Sequence, residues 1–245
     1  MTSVSRKKRI LTVVLCAFVC AGTAAIGVFM AVVVPSQYAH QAKDAEDAIR
    51  TAETGDSIFL GAYEQDNDPA NGKEPIEWIV LAEKEGRLLL LSRYALDCVS
   101  FSDSVYMATW DYSSILTWLN GSFYDEAFNR AEKTLVLSSD VKADKNPVFD
   151  ADPGAKTNAK VFLLSILEAY RYLHTDRDRQ CQATAYAEAK GARTDGEYCT
   201  WWLRSPGYDA SVASRVLMDG KINYCGYPIA DDGNSVRPCI WVEAG

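Results

Sequence analysis

Two segments, WWLRSPG at residues 201–207 and SVRPCIWV at residues 235–242, decide the fold of this chain. Both are rich in aromatic and β-branched residues and contain Pro or Gly, which predicts short buried strands. Each contains one arginine, Arg204 or Arg237, among apolar neighbours. A buried arginine needs a carboxylate or carbonyl partner, so we expect both guanidinium groups to lie in hydrogen-bonded networks.

The residues between these two segments are polar, turn-forming and aromatic. A rigid frame that holds such loops is a common way to build a binding site, because aromatic rings pack on ligands while amides and charges orient them. The residues expected to form a ligand-binding face are Trp110, Tyr112, Tyr208, Asp209, Arg215, Asn223, Tyr224, Tyr227 and Asn234. In the alternative interpretation, the tyrosines only seal a small domain and the polar groups only form turns.

The rest of the chain predicts strands first and short helices next. Alternating and apolar runs predict strands over residues 57–63, 75–82 and 88–91, the last buried on both faces. Ser165 with Glu168 forms a capping-box pattern and predicts a helix that continues to Leu173. This order favours an α+β fold with one domain over residues 55–245.

The first 35 residues differ from the rest. A basic cluster at residues 6–9 precedes 25 uncharged residues, Ile10 to Val34, which are enough for a transmembrane helix. We therefore expect a cytoplasmic tail (1–9), a transmembrane helix (10–34), a stalk (35–54) and an extracellular domain (55–245). The protein would be a single-pass protein of the cell membrane, with cleavage of the N-terminal segment as the alternative.

Charge and cysteine content argue against some partners and metal sites. Without the cluster at residues 6–9, the remainder has 21 basic and 33 acidic residues, a net charge of −12, which argues against a nucleic-acid partner. Its five cysteines, whose pairing the sequence leaves open, are Cys98, Cys181, Cys199, Cys225 and Cys239. Without a Cys-x-x-Cys motif and with two histidines in all, the chain gives no support for a structural zinc site.

No cofactor is expected, with one exception. Asp231, Asp232 and Asn234 around Gly233 offer several hard oxygen ligands in one tight loop, which suits calcium. The spacing does not match the twelve-residue EF-hand loop.

Eight segments in order resemble an uncharacterised domain family of bacterial cell-surface proteins, which is described only as a domain of unknown function. They include Gly61-x-Tyr63-x-Gln65, residues 75–81, 89–97 and 114–120, residues 161–169, 184–187 and 201–207, and Val236-Arg237-Pro238. The resemblance covers about residues 55–243, which is nearly the whole of the expected extracellular domain. The two C-terminal segments also resemble C-type-lectin-like folds, which formylglycine-generating enzymes and the variable ligand-binding proteins of bacterial retroelements share. The resemblance implies a single C-type-lectin-like domain with a twisted antiparallel sheet, short flanking helices and a loop-rich face. Such folds support unrelated functions.

The resemblance also bears on catalysis. Formylglycine-generating enzymes hold copper with a closely spaced cysteine pair, whereas Cys225 and Cys239 here are fourteen residues apart and Cys239 lies in a predicted core strand. We therefore expect a membrane-anchored extracellular domain that binds a glycan, a cell-wall fragment or a protein without catalysis. The alternatives are an enzyme of formylglycine-generating or wall-hydrolase type and a structural module of the cell envelope.

Overall fold

The computed structural model describes residues 40–244, and residues 41–244 form one compact unit. Residues 40–51 form helix α1. The further helices are α2 (Ser114–Trp118), α3 (Tyr124–Ala127), α4 (Ile166–Tyr172), α5 (Asp176–Arg179) and α6 (Ala185–Ala189). The strands are β1 (Ser57–Tyr63), β2 (Glu74–Lys84), β3 (Arg87–Ser92), β4 (Asp97–Cys98), β5 (Val136–Leu137), β6 (Ser139–Val141), β7 (Thr157–Ala159), β8 (Val161–Phe162), β9 (Trp201–Pro206), β10 (Val212–Val216), β11 (Ile222–Pro228), β12 (Ser235–Val236) and β13 (Cys239–Glu243).

The first sheet has the order β1-β2-β3-β13-β5, with β8 also paired to β13. The predicted hairpin of β2 and β3 is confirmed, and it turns at Glu85 and Gly86, both with positive φ. Residues 88–91 are buried throughout, as expected of a strand covered on both faces. Strand β13 pairs with β3 on one side and with β5 and β8 on the other, so it lies inside this sheet.

The second sheet has the order β11-β10-β9-β12-β4, with the predicted strand at Trp201 at its centre. The predicted strand over residues 235–242 is divided between the two sheets: β12 pairs with β9 and β4, whereas β13 joins the first sheet. The chain changes sheets at Arg237 and Pro238. Proline has no N–H to donate, which makes it a suitable point at which to leave a ladder.

Both buried arginines have the partners expected of them. The Arg204 side chain is 2% exposed and forms a two-point ion pair with Glu168, while its Nε donates to the carbonyl of Lys142 at 2.8 Å. The Nε of Arg237 donates to the carbonyl of Ser92 at 3.0 Å, which ties the sheet-changing segment to the end of β3. The expectation of hydrogen-bonded arginines is confirmed.

The α+β class and the antiparallel sheet are confirmed, but the predicted fold class needs correction at its N-terminal end. Among the helices within residues 40–244, none is both long and apolar enough to cross a membrane. The transmembrane helix is therefore not part of the fold that the structure supports. Residues 10–34, on which it was placed, lie outside the described residues.

The helix capping prediction is confirmed. Ser165 accepts a hydrogen bond from the backbone N–H of Glu168, and the Glu168 carboxylate accepts one from the backbone N–H of Ser165. The two reciprocal bonds satisfy donors that the first turn of α4 leaves free. The capped helix holds Glu168 against β9, where it meets Arg204.

Candidate ligand-binding site

A cavity of about 420 Å³ lies beside strands β10 and β11, and we call it the arginine cavity. Its walls come from the segment before β9, from β10 and the turn that follows it, and from β11. The lining residues are Arg193, Asp195, Thr200, Arg215, Leu217, Met218, Asp219 and Tyr227. Two of them, Arg215 and Tyr227, belong to the predicted binding face.

A chain of hydrogen bonds connects the two arginines of the cavity. Arg193 pairs with both carboxylate oxygens of Asp231, and the side-chain amide of Asn234 donates to the same carboxylate at 2.9 Å. The Asn234 carbonyl oxygen in turn accepts a hydrogen bond from Nη1 of Arg215 at 2.8 Å. Asn234 is completely buried, so these hydrogen bonds hold both guanidinium groups to the protein interior.

Tyr227 holds the same two arginines through its ring. The guanidinium carbon of Arg215 lies 3.7 Å from the ring centroid, and that of Arg193 lies 5.3 Å from it. Contacts of this type between a cation and an aromatic face contribute about 0.5–2 kcal/mol each. Tyr227 reaches this position because β11 pairs with β10, which also contains Arg215.

The arrangement is tight enough to require a glycine next to Asn234. A Cβ on Gly233 would lie 2.6 Å from Cζ of Arg193, closer than side-chain atoms approach one another. The missing side chain therefore lets the Arg193 guanidinium lie against the backbone. From there it reaches the Asp231 carboxylate and holds the pKa of that carboxyl below its usual range.

Arg215 has no carboxylate partner among the described residues, in contrast to Arg193. Its only hydrogen bond there runs from Nη1 to the neutral amide of Asn234, and its Nε is buried without a partner. Burial and the neighbouring Arg193 charge lower the pKa of Arg215, although Tyr227 and Asp231 act in the opposite direction. The Arg215 charge is the least compensated feature of the cavity.

Thr200 supplies a second polar group without a partner. Its hydroxyl is buried, and it makes no hydrogen bond within residues 40–244. Buried polar groups are usually satisfied, and leaving one unpaired costs about 1–3 kcal/mol. Unpaired donors beside a cavity are groups that a ligand can satisfy.

The two acidic residues of the lining are already bound to groups of the chain. Asp195 accepts hydrogen bonds from the backbone N–H groups of Glu197 and Tyr198. Asp219 accepts from the backbone and the side chain of Lys221. These two carboxylates therefore do not neutralise Arg215, and they place negative charge at the edge of the cavity.

A larger cavity of about 840 Å³ lies near α2, and we call it the hydroxyl cavity because serines and a threonine line much of it. Tyr112 of the predicted face lies here, 83% exposed. Two polar groups of this cavity already serve the fold: the buried Ser113 caps α2, and the partly exposed Lys190 ammonium lies 3.5 Å from Asp97. The arginine cavity is therefore the better candidate for a ligand site, although it is smaller, because two of its lining residues have unpaired donors.

The other predicted face residues do not line the arginine cavity. Trp110 is buried in the core, and its indole N–H donates to Thr157. Tyr224 stacks on Tyr170, and burial together with the hydrogen bond between their hydroxyls raises the pKa of Tyr224 to about 12. Asp209 and Asn223 stabilise local turns, and Tyr208 packs against Phe149. Sequence reasoning thus grouped two residues of the cavity wall with core and turn residues.

The residues expected to bind calcium have protein partners. The Asp231 carboxylate is held by Arg193 and Asn234, and the Asp232 backbone carbonyl accepts a hydrogen bond from the Cys98 thiol. Within the described residues, the acidic groups close enough to share an ion are Glu64, Asp66 and Glu74, and they already accept hydrogen bonds from neighbouring backbone N–H groups. Calcium binding at residues 231–234 stays a prediction.

The five cysteines within residues 40–244 are free thiols. Cys225 is exposed, whereas Cys98, Cys181, Cys199 and Cys239 are buried. Burial and the neighbouring Asp97 raise the pKa of Cys98, which lines the hydroxyl cavity, to about 12, so it is a protonated thiol at neutral pH. Cys225 on β11 is exposed at one sheet, whereas Cys239 on β13 is buried in the other, and the two do not form a disulfide.

Arg193 and Thr200 were missed by sequence reasoning. Both lie before the segment that begins at Trp201, in a stretch without regular periodicity. The backbone N–H of Arg193 donates to the carbonyl of Gly233, a contact between residues forty positions apart that no local pattern reveals. The presence of Asp231 and Gly233 was the one available sign that a cation would lie near this loop.

The structure is a mixed α+β domain with a cavity that is lined by two arginines and by apolar side chains. Residues 85–244 match the family described as "Domain of unknown function (DUF6273)", and because this is more than half of the chain, the protein belongs to that family. The expected membership in an uncharacterised domain family is confirmed. No curated protein and no solved structure matches the chain.

Proposed function

We propose that this domain is a ligand-binding module that acts without catalysis, and that the arginine cavity is its binding site. The observation that carries the proposal is the position of Arg215, a half-buried cation without a carboxylate partner at the wall of a cavity. A volume of about 420 Å³ lies within the usual range for sites of small ligands.

The chemistry of the cavity supports binding rather than turnover. Its arginines, threonine and tyrosine can donate hydrogen bonds and fix orientation, and its acidic groups are engaged by the backbone and by Lys221. A nucleophile activated by a neighbouring base, as covalent catalysis requires, does not occur among the lining residues. The ligand classes proposed are a glycan, a cell-wall fragment or a protein segment.

An array of glycans, cell-wall fragments and peptides, probed with the full-length protein, tests this function. We expect reproducible binding that is lost when Met218→Trp fills the cavity. Met107→Trp is the matched control, because Met107 is 70% exposed and does not line the cavity. Binding that survives Met218→Trp in a folded protein would place the site elsewhere, and an array without any binding would contradict the proposal.

The expected position of the domain outside the cell and its kinship to C-type-lectin-like folds stay predictions. The proposal does not depend on either of them. It depends on the cavity, whose lining residues all lie within residues 193–227 and thus within the matched family segment.

A further inference from the structure

We propose that the arginine cavity recognises the free carboxylate at the C-terminal end of a peptide whose last side chain is small and apolar. This inference rests on the proposed function and specifies the ligand that the cavity accepts. It joins three features of the lining: a cation without a counter-ion, an apolar wall, and hydrogen-bonding groups at the edge.

The cation requires an anionic ligand. Arg193 already shares its charge with Asp231, whereas Arg215 has the neutral Asn234 amide and the Tyr227 ring as its neighbours. Arginine pairs best with a carboxylate through two parallel N–H bonds. With Nη1 engaged by Asn234, the guanidinium retains Nε and Nη2, which lie on one edge and match the two oxygens of a carboxylate.

We place this anion beside the Arg215 Nε and the Thr200 hydroxyl, because both residues line the cavity and neither atom has a partner within residues 40–244. Both atoms are covered by the surrounding side chains, so a small rotation of Arg215 is needed before a ligand reaches them. Such a rotation is feasible because one hydrogen bond and one ring contact hold the guanidinium. Once the ligand is bound, the Thr200 hydroxyl can donate to a carboxylate oxygen.

The remaining walls favour a peptide carboxylate over a phosphate. Asp195 brings a negative charge to the cavity, and Asp219 brings a second one that the Lys221 ammonium offsets in part. These charges repel a doubly charged phosphate more strongly than a singly charged carboxylate. Oδ2 of Asp195 can also accept an amide N–H that precedes a peptide terminus, because both backbone N–H groups bonded to Asp195 reach Oδ1. Leu217 and Met218 offer partly exposed apolar surface for the terminal side chain.

Two sources share this chemistry: the C-terminus of a protein and the peptide of a cell-wall fragment, which differ in the configuration of their terminal residues. We therefore choose N-acetyl-L-alanyl-L-alanine and N-acetyl-D-alanyl-D-alanine as probes. The matched neutral controls are the same two dipeptides as C-terminal amides. Each is titrated at millimolar concentration into the ¹⁵N-labelled full-length protein and followed by NMR.

We expect at least one acid to shift the Nε–Hε signal of Arg215 and the backbone amides of Leu217 and Met218. The corresponding amide should bind at least tenfold more weakly, because it lacks the charge that pairs with Arg215. A response to the L-dipeptide assigns the source to proteins, and a response to the D-dipeptide assigns it to the cell wall.

Variants of the donors separate recognition from folding. Arg215→Gln should weaken acid binding at least tenfold, Arg215→Lys should weaken it less, and Thr200→Val should weaken it without a change of side-chain shape. Arg130→Gln is the control, since Arg130 is a surface arginine outside the cavity. The ¹H–¹⁵N spectrum of each variant shows directly whether it is folded.

The inference is overturned if acid and amide bind equally, if Arg215→Gln in a folded protein binds as the wild type does, or if neither acid shifts any signal. A ligand found on the array that is lost in Met218→Trp but insensitive to Arg215→Gln would leave the proposed function in place and exclude the carboxylate. The two failures are therefore distinguishable.

Discussion

The guanidinium of Arg204 and the carboxylate of Glu168 form a two-point ion pair between β9 and α4, with Nη2 to Oε1 at 2.8 Å. The same carboxylate accepts the backbone N–H of Ser165 at 3.0 Å and so closes the capping box of α4. One glutamate therefore caps a helix and neutralises an arginine that is almost fully buried. The two functions couple the position of α4 to the central strand of the second sheet.

Removal of Glu168 should destabilise the domain strongly. Glu168→Ala leaves the Arg204 charge buried and unpaired, for which a loss of about 3–5 kcal/mol in the free energy of unfolding is expected. Glu168→Gln keeps a hydrogen-bonding cap at the same position and should lose less. Urea unfolding followed by circular dichroism measures both values.

A double substitution checks the physical reason. Buried ion pairs are often replaceable by apolar residues of similar volume, so Glu168→Leu with Arg204→Met should be less destabilised than Glu168→Ala alone. If the double variant loses at least as much stability as the single one, the carboxylate acts through the helix cap and not through charge neutralisation.

The strands and the capped helix were predictable because their signals are local. The pattern of residues 57–63 and the spacing of Ser165 and Glu168 each lie within a few residues, and both match the structure. The division of residues 235–242 between two sheets was not predictable, because it depends on which distant strand each half meets. Pro238 indicates a break in pairing but does not say where the chain continues.

The lining of the arginine cavity was predictable only in part, because its contacts also join residues that are distant in sequence. Arg215, Tyr227 and Asn234 were identified by type and by position in a loop-rich stretch, and they do meet. Trp110 was included because it follows a polar loop, but its ring packs against Phe101 in the core. A single sequence does not distinguish an aromatic ring that faces a ligand from one that fills a core, because both occur next to turns.

The buried carboxylate of Asp97 supports a second stability prediction. The Tyr63 hydroxyl donates to Asp97 at 2.6 Å, and the Lys190 ammonium lies 3.5 Å from the other oxygen. Tyr63→Phe removes one donor from a carboxylate that is 1% exposed, so a loss of about 1–3 kcal/mol is expected. Tyr94→Phe, at a less buried tyrosine, is the comparison and should change the urea midpoint little.

The cysteines should differ sharply in reactivity. Cys225 is exposed and the other four described cysteines are buried, so iodoacetamide should modify Cys225 first in the native protein. Peptide mapping by mass spectrometry resolves each site, which keeps Cys16 and Cys20 separate from these five. Rapid native labelling of Cys181 or Cys199 would mean that the region before β9 opens more readily than its burial indicates.

The raised pKa of Cys98 predicts a loss of stability in alkali. In the unfolded chain a thiol has a pKa of about 8.5. In the folded protein, burial and Asp97 raise the pKa of Cys98 to about 12. Because the folded state holds this proton more tightly, its stabilising effect is complete below about pH 8.5 and is lost as the pH rises toward about 12. Cys98→Ala should therefore flatten the fall in urea midpoint over this range, and an unchanged slope would contradict the assignment.

The Arg193–Asp231 pair predicts the opposite dependence in acid. Arg193 lowers the pKa of Asp231 below its unfolded value of about 3.9, so the contribution of the pair is present above about pH 4 and is lost as the pH falls through the lowered value. Because Arg193 is 41% exposed, we expect Asp231→Asn to cost about 1 kcal/mol at neutral pH and almost nothing at about pH 2. Urea midpoints of wild type and variant at the two pH values measure this convergence, with the exposed neighbour Asp232→Asn as the control.

The same substitution tests the charge of the cavity. The amide that Asp231→Asn introduces keeps an oxygen able to accept the hydrogen bonds from Asn234 and from the backbone of Gly233, so the loop should keep its shape while Arg193 loses its counter-ion. The positive charge beside Arg215 then rises, and a carboxylate ligand should bind more tightly at low ionic strength than it does to the wild type. Weaker binding by Asp231→Asn would show that the Asp231 carboxylate orients the arginines for the ligand, and that orientation outweighs net charge at this site.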